Sequence, residues 1–183
     1  MKKLDDINLS KIDINKHTFI LKAGTILFRV IIGTYDPRIP TGQENRCAKN
    51  PNNVTPQQYQ TFFLDGHGAV CGTGNVFFSL TEITASKEVK KRYSADKLSL
   101  AVAHKIILNK DIPVVDTISI CSSEGVDPTP GEDQQFWHYF YGPPIRAQAL
   151  KLKSSVDPGG ENIVFFPDNI PDYLNTISKE NAQ

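Results

Sequence analysis

An α+β fold is the class this sequence predicts, on three observations. Short apolar runs bounded by turn residues recur at 25–33, 75–80 and 162–166, as buried strands do. Helical segments with capping residues lie among them at uneven spacing. No regular strand–helix–strand rhythm and no internal repeat runs along the chain, which argues against a doubly wound sheet. Its 183 residues suit a single domain able to bury a real core.

Residues 25–33, Thr-Ile-Leu-Phe-Arg-Val-Ile-Ile-Gly, give the first strand, bounded by Gly24 and Gly33. Arg29 interrupts it. A charge in an apolar run is costly to bury without a partner, so Arg29 either faces water at an edge or sits as a cation in a cleft. Residues 35–60 are rich in Pro, Asn, Gln, Thr and Gly, a loop long enough for a lid or binding loop, and Arg46 lies in it. A glycine cluster at 66–74 precedes the strand 75–80. Thr81 caps a helix carrying Glu82, Ala85 and Glu88, which ends in a basic turn as the helix dipole favours. Segments 98–108 and 113–120 are strand-like or mixed, and 122–131 is loop. Residues 132–141 are expected to form an aromatic-rich helix packed on the sheet. Leu150 and Leu152 alternate as in a half-buried strand, Asp157-Pro158-Gly159-Gly160 is turn chemistry, and 162–166 returns as a buried strand. A short helix near 172–177 closes the chain.

The composition is 39% hydrophobic and 22% charged, with 20 acidic against 20 basic residues. That balance argues against a mainly electrostatic role on nucleic acid or membrane. Cys47, Cys71 and Cys121 are odd in number and far apart, fitting neither a zinc pattern nor a disulfide framework, and the four histidines lack metal-ligand spacing. The polar N-terminus is no signal peptide, and no run reaches transmembrane length. A soluble cytoplasmic protein is expected; an effector exported without a leader would read the same way.

The glycine cluster lacks the Gly-Lys-Ser/Thr ending of a phosphate-binding loop, and a strand follows it where a dinucleotide fingerprint needs a helix. His67, between two glycines, is accessible. Arg29, Phe77, Glu88 and Ser154 form the remaining constellation. A guanidinium fork matches pyrophosphate oxygens, and a lone carboxylate suits a sugar hydroxyl or a developing oxocarbenium ion. Two plain alternatives stand beside this. Glu88 can be a helix-surface residue paired with Lys91 or Arg92, with Thr84 four places earlier offering no charge. Ser154 and Ser155 can be ordinary turn serines bonding local backbone.

Taken together, three stretches resemble the RES domain, a family named for its Arg, Glu and Ser. Leu27-Phe-Arg-Val30 is similar to its opening strand. Gly66, Gly72-Thr73, Val76-Phe77-Phe78, Ala85 and Glu88 follow the spacing of its central motif. Ser154, followed by Pro158-Gly159-Gly160, Asn162 and an apolar strand, is similar to its closing motif. The resemblance spans residues 24–168, leaving short terminal extensions. His67 stands where the family usually has Arg, and Phe77 where it usually has Tyr.

The resemblance implies a compact core like that of ADP-ribosyltransferases, with a cleft between two small mixed sheets and flanking helices. It implies an NAD+-consuming toxin of a bacterial toxin–antitoxin pair, with no metal, and with Arg29, Glu88 and Ser154 as the catalytic set. Arg29 would meet the pyrophosphate and Glu88 the nicotinamide ribose, with Ser154 orienting substrate or acceptor. On that pattern His67 would donate to a phosphate, more strongly when protonated, Phe77 would stack on nicotinamide or ribose, and Arg46 would take over the positive charge missing at 67. Water, phosphate or a protein side chain would accept the ADP-ribose. An Xre-like helix-turn-helix antitoxin would block the cleft, and a homodimer is compatible with the sequence. A protein ADP-ribosyltransferase, or a degenerate fold that only binds a nucleotide or partner, are the rival readings.

Overall fold

In the computed structural model, which describes residues 6–33, 36–39, 76–128, 139–142 and 144–180, eight strands pair into one sheet. In chain order they are β1 (Thr18–Leu21), β2 (Ile26–Ile32), β3 (Val76–Ser79), β4 (Ala101–Leu108), β5 (Ile112–Asp116), β6 (Ala149–Lys153), β7 (Glu161–Phe165) and β8 (Ile177–Lys179). Across the sheet the order is β1-β5-β6-β7-β3-β2-β4-β8, antiparallel throughout except for the β5–β6 pair. Helices α1 (Glu82–Arg92), α2 (Ala95–Leu98), α3 (Thr117–Ser123) and α4 (Tyr173–Thr176) connect them. Strands and helices mix without alternation, and the fold is α+β.

The local chemistry explains the boundaries. Gly24 takes φ +84°, a turn conformation open to glycine, and its N–H reaches Leu108 O at 2.7 Å, fixing the start of β2 against β4. The Thr81 hydroxyl accepts the Thr84 N–H at 3.1 Å, and Glu82 opens α1 while Lys90, Lys91 and Arg92 close it. The mixed segment 113–120 divides at Asp116. That residue ends β5, and its carboxylate accepts the Ser119 N–H at 3.0 Å, so a helix follows and runs two residues into the loop expected from 122. Of the aromatic helix expected at 132–141, only 139–141 fall among the described residues, and they are helical with Phe140 buried.

The terminal segments belong to the sheet. β1 pairs with β5 at one edge and β8 with β4 at the other, so the ordered unit extends beyond 24–168 on both sides. Neither strand is signalled by the sequence, because each is only three or four residues long. A second difference concerns the architecture. Where the resemblance implies two small sheets around a cleft, the described strands form one. Its narrowest joint is β2 against β3, where among the described residues Phe28 opposite Ser79 is the one register pair.

Side chains on the two faces form separate apolar clusters. Leu27, Val76, Phe78, Ile163, Phe165 and Ile177 fill one. Val115, Leu150, Leu152, Val164, Phe140 and Phe166 fill the other, with Phe77 packed against it. Full burial of each Phe in these clusters is worth about 2–3 kcal/mol. Since β6 is covered on both faces, Ala149, Leu150 and Leu152 are all buried, more than the half-buried strand the alternation predicts. No described helix is long and apolar enough to cross a membrane.

Candidate active site

Glu88 and Ser154 meet. Helix α1 places Thr84 and Glu88 four residues apart and therefore on one face. The Ser154 hydroxyl donates to Glu88 Oε1 at 2.7 Å, and Asn162 Nδ2 donates to the same oxygen at 3.0 Å. Asn162 is held in turn: its Oδ1 accepts from the Ser79 hydroxyl at 2.7 Å. Ser79 and Asn162 face each other across the β3–β7 ladder, and Leu152 lies opposite Asn162 on β6, so one transverse row of the sheet supports the carboxylate. Among the described residues no partner occupies Glu88 Oε2.

The alternative of a surface Glu88 paired with Lys91 or Arg92 is not what the chain adopts. Two donors from the sheet turn the half-buried carboxylate inward. Ser154, only 3% exposed, is likewise more than a turn serine. Its oxygen accepts the N–H groups of Val156 and Asp157, both at 3.2 Å, while its one hydrogen goes to Glu88. A hydroxyl has one donor and two acceptor sites, so Ser154 is fully engaged. Its hydroxyl is thereby taken up by Glu88 and by the backbone of its own turn. Ser155, by contrast, is exposed, so of the two serines it is Ser154 that meets Glu88.

Arg29 lies elsewhere. It shares strand parity with Leu27 and so projects from the opposite face to Glu88, Ser154 and Asn162. It is 6% exposed, and its Nη1 donates to Pro37 O and Ile39 O, each at 2.9 Å. Its guanidinium carbon stands 5.8 Å from the centre of the Phe78 ring. β2 runs between β3 and β4, so Arg29 is neither an edge residue facing water nor a neighbour of Glu88. The main-chain carbonyls answer the cost of burying it. Opposite it on β4 is His104, whose imidazole is held below its ordinary value by burial, then by Lys179 and Arg29, with Asp36 acting the other way.

Phe77 is half-buried, two residues before Ser79 on β3 and on the same face of the sheet, and packs against the apolar cluster of that face. His67 and Arg46 lie outside the described residues. Among the described residues no group of three His, Cys, Asp or Glu side chains is arranged to hold a metal ion.

Asn162 is the residue sequence reasoning passed over as a functional group. Its signal was an amide at the start of an otherwise apolar buried strand, where an unpartnered polar side chain would be costly. Asp157 and Thr84 were also missed. The Thr84 hydroxyl donates to Asp157 Oδ2 at 2.8 Å, and Lys87 Nζ meets Asp157 Oδ1 at 2.8 Å. These partners, Lys87 first and Thr84 second, hold the Asp157 carboxyl below its ordinary range.

Searches against protein-family models and against curated proteins return no match to this chain.

Proposed function

We propose that this chain cleaves the nicotinamide–ribose bond of NAD+, with Glu88 as the catalytic carboxylate, in the manner the RES resemblance implies. One observation carries the reading. A carboxylate is gripped at Oε1 by Ser154 and Asn162, while no described group holds its second oxygen. Such a group is aimed and fixed before substrate arrives, which is what electrostatic stabilisation of a short-lived cation requires.

In the reaction the C1′–N bond breaks and its electron pair leaves with the nicotinamide ring, which becomes neutral. Positive charge develops on the ribose, and Glu88 Oε2 stabilises it while accepting a hydrogen bond from the 2′-hydroxyl. An oxygen of water or inorganic phosphate then attacks C1′; water gives up a proton to solvent. Phe77 offers a ring for the nicotinamide or ribose. In this scheme Ser154 and Asn162 hold the carboxylate, and Arg29 holds the fold rather than the pyrophosphate. A bacterial toxin with an Xre-like antitoxin covering the Glu88 face completes the proposal.

The test is NAD+ consumption by purified protein with and without phosphate, products separated by chromatography. Nicotinamide should accumulate, and a phosphate requirement would identify the acceptor. Label moving from NAD+ onto protein would replace this reading with protein ADP-ribosylation. No loss of NAD+ under any condition would leave a binding-only fold.

A further inference from the structure

We infer that Asp157 is a positioning residue: it latches helix α1 onto the turn between β6 and β7, so that Glu88 reaches Ser154 and Asn162 in one fixed register. The inference rests on Glu88 being the reactive carboxylate. Two contacts tie the same helix face to the same turn. One is Glu88 to Ser154; the other, one helical turn earlier, is Thr84 to Asp157 at 2.8 Å. The two are joined within the turn, because Ser154 Oγ accepts the Asp157 N–H at 3.2 Å. The turn itself is closed by Ser154 N–H to Gly160 O at 2.9 Å and Gly160 N–H to Asp157 O at 2.8 Å.

The hydroxyl roles are consistent around the latch. Thr84 gives its hydrogen to Asp157, so the Thr81 hydroxyl is the donor in the 2.8 Å contact between the two threonines. Thr81 also caps α1 through the Thr84 N–H. The start of the helix and the carboxylate of the turn are thus one connected unit. Lys87 adds an ion pair to Asp157, with the lysine 47% and the aspartate 15% exposed. An ion pair with so exposed a partner contributes little. The Thr84 bond is the buried half of the latch.

Gly160 shows how close the helix comes. A Cβ built there would stand 2.6 Å from Thr84 Oγ1, 2.7 Å from Thr84 Cγ2 and 2.8 Å from Asp157 Oδ2. Thr is stiff at χ1, so the threonine cannot simply swing aside. At Gly159 an added Cβ would meet nothing within 4 Å. The second glycine of the Pro-Gly-Gly turn is therefore a docking floor for α1, and the first is not.

The test compares Asp157→Ala, Asp157→Asn, Thr84→Val, Gly160→Ala and Gly159→Ala in the full chain. Nicotinamide release would give kcat and KM, and NMR hydrogen exchange would follow the Val156 and Asp157 amides. Asp157→Ala, Thr84→Val and Gly160→Ala should each lower kcat, by up to about 10²-fold for a carboxylate displaced by roughly 1 Å, with KM little changed. Asp157→Asn keeps an amide oxygen for Thr84 and should recover most of the rate. Gly159→Ala should match wild type.

A purely structural Asp157 would change thermal stability without this split between kcat and KM or the asparagine rescue. Equal kcat in wild type and Asp157→Ala overturns the inference. If wild type releases no nicotinamide, the Glu88 reading fails. The latch is then judged by exchange alone, and unchanged protection of Val156 and Asp157 in Asp157→Ala overturns it as well.

Discussion

The two faces of the sheet handle a charged side chain in opposite ways. On one, Arg29 donates to Pro37 O and Ile39 O and lies over Phe78, so its guanidinium is built into the core beside His104. On the other, Glu88 is held by one oxygen and presents the second. A buried charge satisfied by main chain stabilises a fold, whereas one fixed at half its capacity is available to a ligand. The sequence gives both residues the same appearance, a lone charge in an apolar context. Only their partners separate them.

The sharpest way to break this contrast is Glu88→Gln. The amide oxygen can still accept from Ser154 and Asn162, so the network and fold should persist while the charge is gone. Nicotinamide release should fall about 10³-fold, with circular dichroism unchanged. Turnover near wild type would remove Glu88 from the chemistry.

Arg29→Met tests the other face. It strips the donors from two carbonyls and should cost roughly 2–4 kcal/mol in urea unfolding, with the KM for NAD+ unaltered in the folded protein. A large rise in KM at constant stability would instead mean that substrate reaches Arg29, and the two faces would have to be joined in one site.

Ser154→Ala is expected next in size. Loss of one hydrogen bond to a charged acceptor corresponds to about 1.5–3 kcal/mol, or roughly a 10–150-fold drop in kcat. The exposed Ser155 should tolerate the same change without effect. Equal damage at both positions would mean the turn as a whole, not the Ser154 hydroxyl, is what matters.

How far the sequence carried this picture follows from which signals are local. The first strand, the Thr81 cap, the Asp157–Gly160 turn and the strand from 162 are written in neighbouring residues, and all four are present. Glu88 and Ser154, which meet across 66 positions, are brought together at the level of sequence only by the resemblance to a family pattern. What escaped depends on contacts across the chain. Arg29 reads as either an edge residue or a cleft cation because nothing local reveals that its strand is interior, or that residues 37 and 39 turn their carbonyls toward it. Thr84 carries no charge and so gives no local signal beside Glu88; its partner lies 73 positions away. Strands as short as β1 and β8 show no period long enough to read.

The smallest expected effect lies again on the Arg29 face. His104 is half-buried, and its Nε2 has no hydrogen-bond partner among the described residues. Burial, reinforced by Lys179 and Arg29, depresses its imidazole below the ordinary 6.5, against a weaker opposing pull from Asp36. A histidine that prefers to be neutral when folded stabilises the protein fully above the unfolded value. It withdraws that support as pH falls through the lower, folded one. Thermal stability should therefore decline between pH 7 and 5, and His104→Gln should flatten that limb. On the Glu88 face the sign and range differ. Asp157 is depressed as a carboxylate, so its latch is present above the ordinary value of 3.8 and is lost only as pH falls below it. Mild acid thus loosens the Arg29 face while leaving the Asp157 latch ionised. If His104→Gln leaves the slope between pH 7 and 5 unchanged, the acid-sensitive group lies elsewhere, and the Arg29 face is as indifferent to mild acid as the latch.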